Sequence, residues 1–440
     1  MKKKLILDVH ERPTVGKWII LALQHVFAMF GATVLVPILV NSAAGAEVLS
    51  TPVALVAAGI GTLAYILCTK GKSPMFLGGS FAYITPVVAA YAIGGQAAAF
   101  TAIMVVGLIY VLIGIIIKFT GKDWIDKLLP PIVIGPMIMI IGLGLASTAV
   151  NQIGIGEEQA SWQHILTAVV AFLATGIFAL RGKGILKAVP ILGGIVIGYI
   201  FACIVGIVDF TPVMEAAWFS MPSFVIPFVS YTPNFVAVLS IVPIGIVTLA
   251  EHVGQHSVLG TVIDKNLLKE PGLDKTVIGD GVATFISAFL GNSDTTTYGE
   301  NVSVVGMTKV ASVWAVGLGA VFSIVIAFFA KFTALISTIP SSVLGGIAII
   351  LFGFIASNGV KILVDNKIDF GNTKNIIVAS TMLILGMGGA TISAMFGDIV
   401  ITISGMSLAA IIGILLNVCL PKEKEVQLDD EENEEDVKSK

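Results

Sequence analysis

Four carboxyl groups stand inside long apolar stretches of the sequence, where an ionised side chain is costly unless it has a function or a partner. They are Glu251, Asp280, Asp294 and Glu300. A carboxyl in a low-dielectric site binds a proton more readily than one in water, so Glu251 and Glu300 are candidates to hold a ligand and a proton. The alternative for each is a structural hydrogen bond to a neighbouring helix. Asp280 and Asp294 lie nearer the expected ends of their segments, which leaves contact with water open for both.

Glu251 stands in a segment whose helical spacing divides its polar groups between two faces. Thr248, Glu251 and Gln255 fall on one face. His252 and His256 share a different one. A carboxyl and an amide on one face can bind a ligand that carries both hydrogen-bond donors and acceptors. The spacing therefore predicts a binding site for a polar solute on this helix.

The composition places these groups in a membrane protein. The chain has 440 residues, of which 56% are hydrophobic and 12% charged, whereas soluble domains average about 25% charged residues. That excludes a soluble enzyme, but a bilayer accommodates runs of roughly 20 apolar residues as helices that satisfy their own backbone. Apolar windows predict about fourteen such spans, centred near residues 30, 60, 85, 107, 140, 172, 197, 246, 285, 303, 322, 346, 383 and 411.

The basic residues orient these spans. If the spans alternate from a cytoplasmic N-terminus, every Lys and Arg among the 25 except Lys331 falls on the cytoplasmic side. The positive-inside rule requires this segregation, and an error of one span would destroy it. We therefore expect both termini in the cytoplasm, with residues 421–440 forming an acidic, disordered tail.

Two of the predicted spans are interrupted. Residues 78–86 and 292–301 place glycine and hydroxyl side chains where an ordinary span is rich in leucine, which indicates helices broken at membrane depth. They are the third and tenth spans, so an odd number separates them and the second half enters the membrane inverted. Secondary transporters have this inverted-repeat plan, with the site between the broken segments. Helix N-termini there would offer backbone N–H groups to a polar solute.

Sequence motifs for an enzyme or a metal site are absent. The three cysteines are far apart, and His252 and His256 lack a third ligand. The sequence contains no nucleophile motif or phosphate-binding loop. A carrier without a cofactor is therefore expected, coupled to protons, although carboxylates, hydroxyls and unwound carbonyls also suit sodium. His25 is expected to bond within the helix bundle rather than relay protons.

Several short motifs occur together, in order, over nearly the whole chain. They are Glu11-Arg12-Pro13, Gln24-His25, Gly79-Ser80-Phe81-Ala82, Ala250-Glu251-His252-Val253-Gly254 and Thr296-Thr297-Tyr298-Gly299-Glu300-Asn301. Each motif alone is weak, but their joint occurrence is specific. The chain resembles the nucleobase–ascorbate transporter (nucleobase:cation symporter 2) family, and within it the bacterial uracil permeases.

The resemblance implies an all-α polytopic membrane protein with two inverted seven-span repeats and short strands in the broken spans 3 and 10. It implies a core domain formed by residues 17–120 and 236–332. A gate domain would comprise residues 121–215 and 333–420, and residues 1–16 would be a cytoplasmic N-terminus. The implied protein is a homodimer in the bacterial cytoplasmic (inner) membrane that imports uracil by proton symport.

The resemblance also implies a substrate site. Glu251 looks like the family's substrate-binding glutamate of span 8, Glu300 like its partner in span 10, and Phe81 like the aromatic residue that packs against the base. The remaining implied substrate-binding residues are Ser80, Ala32, Tyr298, Gly299 and Gln255. Proton coupling is assigned to Glu251, Glu300 and His256.

Three positions depart from the family's pattern. Gln255 stands where uracil carriers of the family often have histidine, with His256 one place later on another helix face. Ser303 replaces a glycine after the span 10 glutamate, and Phe352 replaces a tyrosine of a related permease. The alternative substrates are xanthine or urate. An anion exchanger on the same architecture is a further alternative, which the two carboxyls disfavour.

Overall fold

The computed structural model describes residues 5–155, 161–182, 190–396, 399–403 and 405–421. Lys183 and Lys187, which were predicted to be cytoplasmic, and the predicted tail beyond Pro421 lie outside the described residues.

Helices dominate the described chain. The first half contains α1 (Val15–Ala44), α2 (Thr51–Cys68), α3 (Ile84–Thr120), α4 (Asp123–Leu128), α5 (Pro131–Gly144), α6 (Ala146–Ile153), α7 (Trp162–Arg181), α8 (Pro190–Ile204) and α9 (Thr211–Glu215). The second half contains α10 (Val238–Ile241), α11 (Ile244–Ile263), α12 (Leu273–Phe289), α13 (Gly299–Thr308), α14 (Val313–Ala327), α15 (Ala330–Ser337), α16 (Ser341–Asp365), α17 (Thr373–Met387) and α18 (Gly405–Cys419). The strands are β1 (Leu77–Gly78), β2 (Thr296–Thr297), β3 (Ile392–Phe396) and β4 (Ile399–Ile403).

Within the described ranges, seven helical segments are long and apolar enough to cross a membrane. The pair α14 and α15, bent by 83°, would make an eighth. Each predicted centre lies in a helix. Two of them, near residues 85 and 107, lie in α3, whose backbone is broken at Gly94 and Gly95 into two helical parts. Gly95 has φ +66°, which glycine adopts without a steric cost. Since α8, α17 and α18 have only 15 residues each, the count of fourteen stays a prediction.

The two interrupted segments meet at a pair of short strands. β1 and β2 are antiparallel, with Leu77 opposite Thr297 and Gly78 opposite Thr296. A Cβ on Gly78 would clash with the ring of Tyr298, so a glycine is required where the strands cross this ring. A single 3-10 turn, Phe81–Tyr83, leads from β1 into α3, and α13 starts directly after β2. Two helices therefore begin next to the same pair of strands.

The helices pack in two sets. The first helix set consists of α1, α2, α3, α11, α12, α13 and α14. The second helix set consists of α5, α6, α7, α8, α16, α17 and α18. The sets meet where α11 contacts α5 and α18, and where α1 contacts α8. The ranges of the core and gate domains stay a prediction.

Glycines allow the closest helix contacts in the first helix set. A Cβ on Gly107 of α3 would lie 2.7 Å from the carbonyl oxygen of Gly281 in α12, and a Cβ on Gly281 would lie 2.6 Å from that of Gly107. Likewise, a Cβ on Gly59 of α2 would lie 2.5 Å from the carbonyl oxygen of Ala320 in α14. Side chains do not fit at such distances, so these helices meet backbone to backbone, as small residues permit in membranes.

A hairpin in the second half was not predicted from the sequence. β3 and β4 pair antiparallel, from Ile392 opposite Ile403 to Phe396 opposite Ile399. Short strands were expected in the third and tenth spans, and no prediction of strands was made for this segment. Short apolar runs fit either a buried helix or a strand, and periodicity alone does not separate the two.

Candidate functional site

A cavity of about 640 Å³ is lined by residues of both helix sets. Small-molecule sites have volumes of roughly 300–1,000 Å³, so the cavity suits a ligand of that class. Its walls include Ser80, Phe81, Glu251, Gln255, Tyr298, Gly299 and Glu300 from the first helix set, and Ile138, Ile141, Leu351, Phe354, Asn358 and Lys361 from the second. The structure thus brings together seven of the residues that the sequence assigned to a substrate site.

Glu251 lines the cavity from the middle of α11. Ser80 lines the same cavity, and the buried Oε2 of Glu251 has no hydrogen-bond partner among the described residues. Ser80 is itself fixed, because its Oγ accepts from the Ala82 N–H at 3.2 Å and its own N–H donates to Asp294 Oδ1 at 3.4 Å. An unpaired buried oxygen is costly, so Glu251 presents an acceptor for the N–H group of a ligand.

Glu300 reaches the same cavity from the first turn of α13. Glu251 and Glu300 thus line one cavity. Like charges repel strongly away from water, and a proton or a ligand N–H placed between them relieves that repulsion. The start of α13 adds backbone N–H groups and the positive end of a helix dipole. The carboxyl pair can therefore bind a hydrogen-bond donor of a ligand, and the backbone N–H groups at the start of α13 can bind an acceptor of the same ligand.

Gln255 lies against Gly299, one turn along α11 from Glu251. A Cβ on Gly299 would be 3.0 Å from Gln255 Nε2 and 3.2 Å from its Oε1. The carbonyl oxygen of Gly299 accepts from the Ser303 hydroxyl at 3.1 Å, so the serine that departs from the family's pattern bonds within α13. Gly299 thus leaves room for an amide that offers both a donor and an acceptor.

Two aromatic residues complete the wall. The ring of Phe81 packs edge-on against Phe352 of α16, with centroids 5.7 Å apart, and so touches the second helix set. The Tyr298 hydroxyl donates to the carbonyl oxygen of Gly79 at 3.2 Å and lies 3.1 Å from Thr33 Oγ1. Because that hydroxyl is bonded within the protein, the ring is the part of Tyr298 available to a ligand.

Ala32 and His256 are not among the residues that line the cavity. Ala32 is completely buried in α1. His256 Nδ1 donates to the carbonyl oxygen of His252 at 2.8 Å, and the Tyr65 hydroxyl lies 2.5 Å from its Nε2. In the neutral tautomer with the proton on Nδ1, Nε2 of His256 accepts a hydrogen bond from the Tyr65 hydroxyl, and that hydroxyl can in turn accept one from Ser73. Both histidines face away from Glu251, which confirms the helix faces predicted from spacing.

The remaining buried acids bond inside the first helix set. Asp280 Oδ2 lies 2.8 Å from His252 Nδ1, and both side chains are fully buried. Asp294 Oδ1 accepts from the Ser293 hydroxyl at 3.0 Å. Asp280 and Asp294 are 0% and 2% exposed, so neither carboxyl reaches water at the end of a span.

Thr248 and His25 bond to neighbouring helices. Thr248 Oγ1 lies 2.5 Å from the Tyr110 hydroxyl of α3, and Thr248 is not among the residues that line the cavity. Three residues along a helix leave about 60° of rotation, enough to turn Thr248 from the cavity to α3. Asn301 Nδ2 donates to the carbonyl oxygen of His25 at 3.0 Å, which confirms that His25 bonds within the bundle.

Sequence reasoning missed the wall contributed by the second helix set. Ile138, Ile141 and Phe354 are apolar residues of apolar helices, and nothing in their types marks them as ligand contacts. Asn358, Lys361 and Asp365 carried a signal, because these polar residues recur at spacings of three and four positions on α16 and so share one face of the helix. Among the residues that the structure describes, no three His, Cys, Asp or Glu side chains gather as a metal site.

Residues 16–395 match the sequence profile described as the Permease family. The chain is 45% identical over 438 residues to the uracil permease of Bacillus subtilis (strain 168), covering 98% of this chain and 99% of the relative. The chain belongs to the nucleobase–ascorbate transporter family. The uracil permease of Escherichia coli (strain K12) is 37% identical to this permease over 436 residues, covering 97% of both chains. The protein is thus a multi-pass membrane transporter rather than an enzyme.

Solved structures of anion transporters share the fold of this permease. The transmembrane domain of BicA, a cyanobacterium bicarbonate transporter, has a TM-score of 0.58 at 17% identity, covering 90% of this chain and 97% of that chain. The overall structure of SLC26A9 has a TM-score of 0.65 at 12% identity, covering 92% and 66%. At these identities the likeness concerns the fold alone, so the substrate has to be argued from the cavity.

Proposed function

We propose that this permease imports uracil across the cytoplasmic membrane together with a proton. The observation that carries the proposal is the pair Glu251 and Glu300 in one cavity with Phe81 and Gln255. Uracil offers ring N–H donors, carbonyl acceptors and a flat apolar face. A carboxylate accepts a hydrogen bond from the ring N–H of uracil. The Gln255 amide and the N–H groups of α13 donate to its carbonyl oxygens, and Phe81 packs on its ring. Relatives 37–47% identical that are named uracil permeases support this substrate.

The carboxyl pair also supports proton coupling. In the empty cavity the charges of Glu251 and Glu300 repel each other, and a proton on one of them removes that repulsion. A proton held there can then pass to the cytoplasm when the cavity opens on that side. We assign the proton to the two glutamates, since Tyr65 and His252 bind the ring of His256 outside the cavity. Sodium is the alternative coupling ion.

Helix packing supports two inverted repeats of seven spans. Residues 96–120 of α3 are taken as span 4 and α14 as span 11, while α2 and α12 are spans 2 and 9. Spans seven apart are equivalent in the repeat, so α2 corresponds to α12 and residues 96–120 of α3 correspond to α14. The close contact of Gly107 with Gly281 and that of Gly59 with Ala320 are then one contact made twice. β1 and β2, which pair with each other, become equivalent strands. The first helix set would be the core and the second the gate.

The remaining parts of the proposal concern orientation and assembly. Both termini are placed in the cytoplasm because the basic residues segregate to that side. The core would carry the bound base past the gate in an elevator-like or rocking motion. A homodimer follows from the family resemblance.

Two other substrates compete with uracil. Xanthine or urate would be carried by the same kind of site in this family. Anion exchange is suggested by BicA, named a bicarbonate transporter, and by murine Slc26a9, named an anion transporter. An anion would have to approach Glu251 and Glu300, and like charges in a low-dielectric cavity disfavour that arrangement.

Calorimetric titration of the purified permease with uracil, xanthine and bicarbonate tests the proposed substrate. Uracil should bind, and Glu251→Gln should weaken its binding roughly 10- to 100-fold, because a hydrogen bond to a charged group contributes about 1.5–3 kcal/mol. Glu270→Gln is the matched control, since Glu270 is exposed and pairs with Lys72 away from the cavity. Tighter binding of xanthine or bicarbonate than of uracil, or wild-type affinity in Glu251→Gln, would overturn the proposal.

A further inference from the structure

Residues 5–11, here called the N-terminal strap, lie along the connection between α13 and α14. Leu7 forms a parallel bridge with Val310. The backbone bonds run from Ile6 N–H to Lys309 O (2.8 Å), from Ala311 N–H to Leu7 O (2.9 Å) and from Val313 N–H to Val9 O (2.9 Å). The strap therefore adds an extended segment from before α1 to a connection in the second half of the chain.

Side chains fasten the strap to α11 as well. Val9 is 1% exposed and belongs to an apolar cluster that includes Ile263 of α11 and Val305 of α13. Asp8 Oδ1 accepts from Lys265 Nζ at 2.6 Å, just beyond the end of α11. Val9 of the strap is thus buried in an apolar cluster that includes residues near the ends of α11 and α13. The adjacent Asp8 forms an ion pair with Lys265, just after α11.

These two helices carry the paired carboxyls of the cavity. Glu251 is on α11 and Glu300 is on α13. At about 1.5 Å of rise per residue, Glu251 lies roughly 18 Å from the end of α11 and Glu300 roughly 12 Å from the end of α13. A helix transmits a tilt at its end along its length, so the spacing of the two ends affects the spacing of the two carboxyls.

We infer that Val9, assisted by Asp8, is a positioning residue that holds the ends of α11 and α13 together and thereby sets the geometry of Glu251 and Glu300. The inference rests on the proposed function, because it treats these carboxyls as the substrate site. Val9 and the backbone bonds carry most of the effect. The Asp8–Lys265 pair contributes less, since its side chains are 49% and 40% exposed and water screens such pairs.

The ion pair nevertheless persists at neutral pH. The Lys265 ammonium is the main cause that lowers the pKa of the Asp8 carboxyl below its ordinary value. A carboxyl with a lowered pKa in the folded protein contributes to stability above its unfolded pKa and loses that contribution as the pH falls through the folded value. Neutral buffers therefore keep the strap charged during the test.

The test compares two aspartates in one strap. Val9→Asp puts a charge into the apolar cluster, whereas Ile6→Asp changes a side chain that is 71% exposed. Val9→Asp should weaken uracil binding at least about tenfold, and Ile6→Asp should change it less than twofold. Equal effects of the two substitutions, or an effect of Val9→Asp below twofold, would overturn the inference. If Val9→Asp does not reach the membrane, Val9→Ser takes its place, with Ile6→Ser as its control.

Hydrogen exchange without ligand separates this inference from the proposed function. In the wild type, the amides of Ile6, Ala311 and Val313 should exchange slowly, and Val9→Asp should speed the exchange of α11 and α13 near their ends. That result stands even if the wild type fails to bind uracil, which would overturn the proposed function alone. Rapid exchange of the strap amides in the wild type would overturn the inference that the strap holds the ends of α11 and α13 together.

Discussion

The hydroxyl of Tyr65 on α2 lies 2.5 Å from Nε2 of His256 on α11, on the side of α11 that faces away from the cavity. The same hydroxyl lies 2.9 Å from Ser73 Oγ. All three side chains are fully buried. His256 therefore connects α11 to α2, while Glu251 and Gln255 on the same helix serve the cavity.

Replacing Tyr65 with Phe tests this division of roles. The change leaves His256 Nε2 buried without a partner, which should lower the free energy of unfolding by about 1–3 kcal/mol. Because His256 does not reach the cavity, the pH at which uracil uptake is half-maximal should stay unchanged. Denaturant unfolding and a pH profile of uptake measure the two effects. A shifted pH profile would place His256 in the proton route after all.

Replacing Gly299 with Ala should impair the site without unfolding the protein. The added Cβ would press on Gln255 at 3.0 Å from Nε2, so the amide has to move away from its place in the wall. We expect uracil affinity to fall roughly five- to 150-fold, by analogy with the 1–3 kcal/mol that overpacking costs. Gly306→Ala on the same helix is the control, because its Cβ would meet Val262 at an ordinary 3.7 Å. Equal affinities of the two variants would contradict the placement of Gln255.

Replacing Gly107 with Ala should act on stability rather than on the substrate. Its Cβ would lie 2.7 Å from the carbonyl oxygen of Gly281, and a backbone atom cannot move aside as a flexible side chain can. Overpacking of this kind costs about 1–3 kcal/mol, so the Tm in detergent should fall. Gly317→Ala, where the Cβ would be 3.8 Å from Ile66, should leave the Tm within about a degree of the wild type. A wild-type Tm for Gly107→Ala would show that α3 and α12 are further apart.

Charge and backbone chemistry in the sequence predicted much of the site. Glu251 and Glu300 stood out because carboxyls are rare in apolar segments, and the glycine and hydroxyl residues of 78–86 and 292–301 predicted broken helices. The apolar wall of the second helix set gave no such signal, because an isoleucine that lines a cavity, such as Ile138, looks the same in the sequence as one that packs between helices. Contacts distant in sequence, such as the hydrogen bond from the Val313 N–H to Val9 O, have no local pattern in the sequence.

Helical spacing predicted side-chain faces only to within about one residue. It separated His256 from Glu251 correctly, because five positions along a helix leave about 140° between them. Spacing alone did not show that Thr248, about 60° around the helix from Glu251, bonds to Tyr110 of α3 instead of lining the cavity. The hairpin of β3 and β4 was not predicted for a different reason, because short apolar runs suit a strand and a helix equally well.

Uptake of labelled uracil into proteoliposomes tests the central claim most directly. We predict that an inward proton gradient, with the lumen alkaline, accelerates uptake and drives accumulation, and that Glu251→Gln abolishes this stimulation. A sodium gradient at equal pH on both sides should have no effect. Uracil uptake that is the same with and without the proton gradient, or that follows the sodium gradient instead, would contradict proton symport.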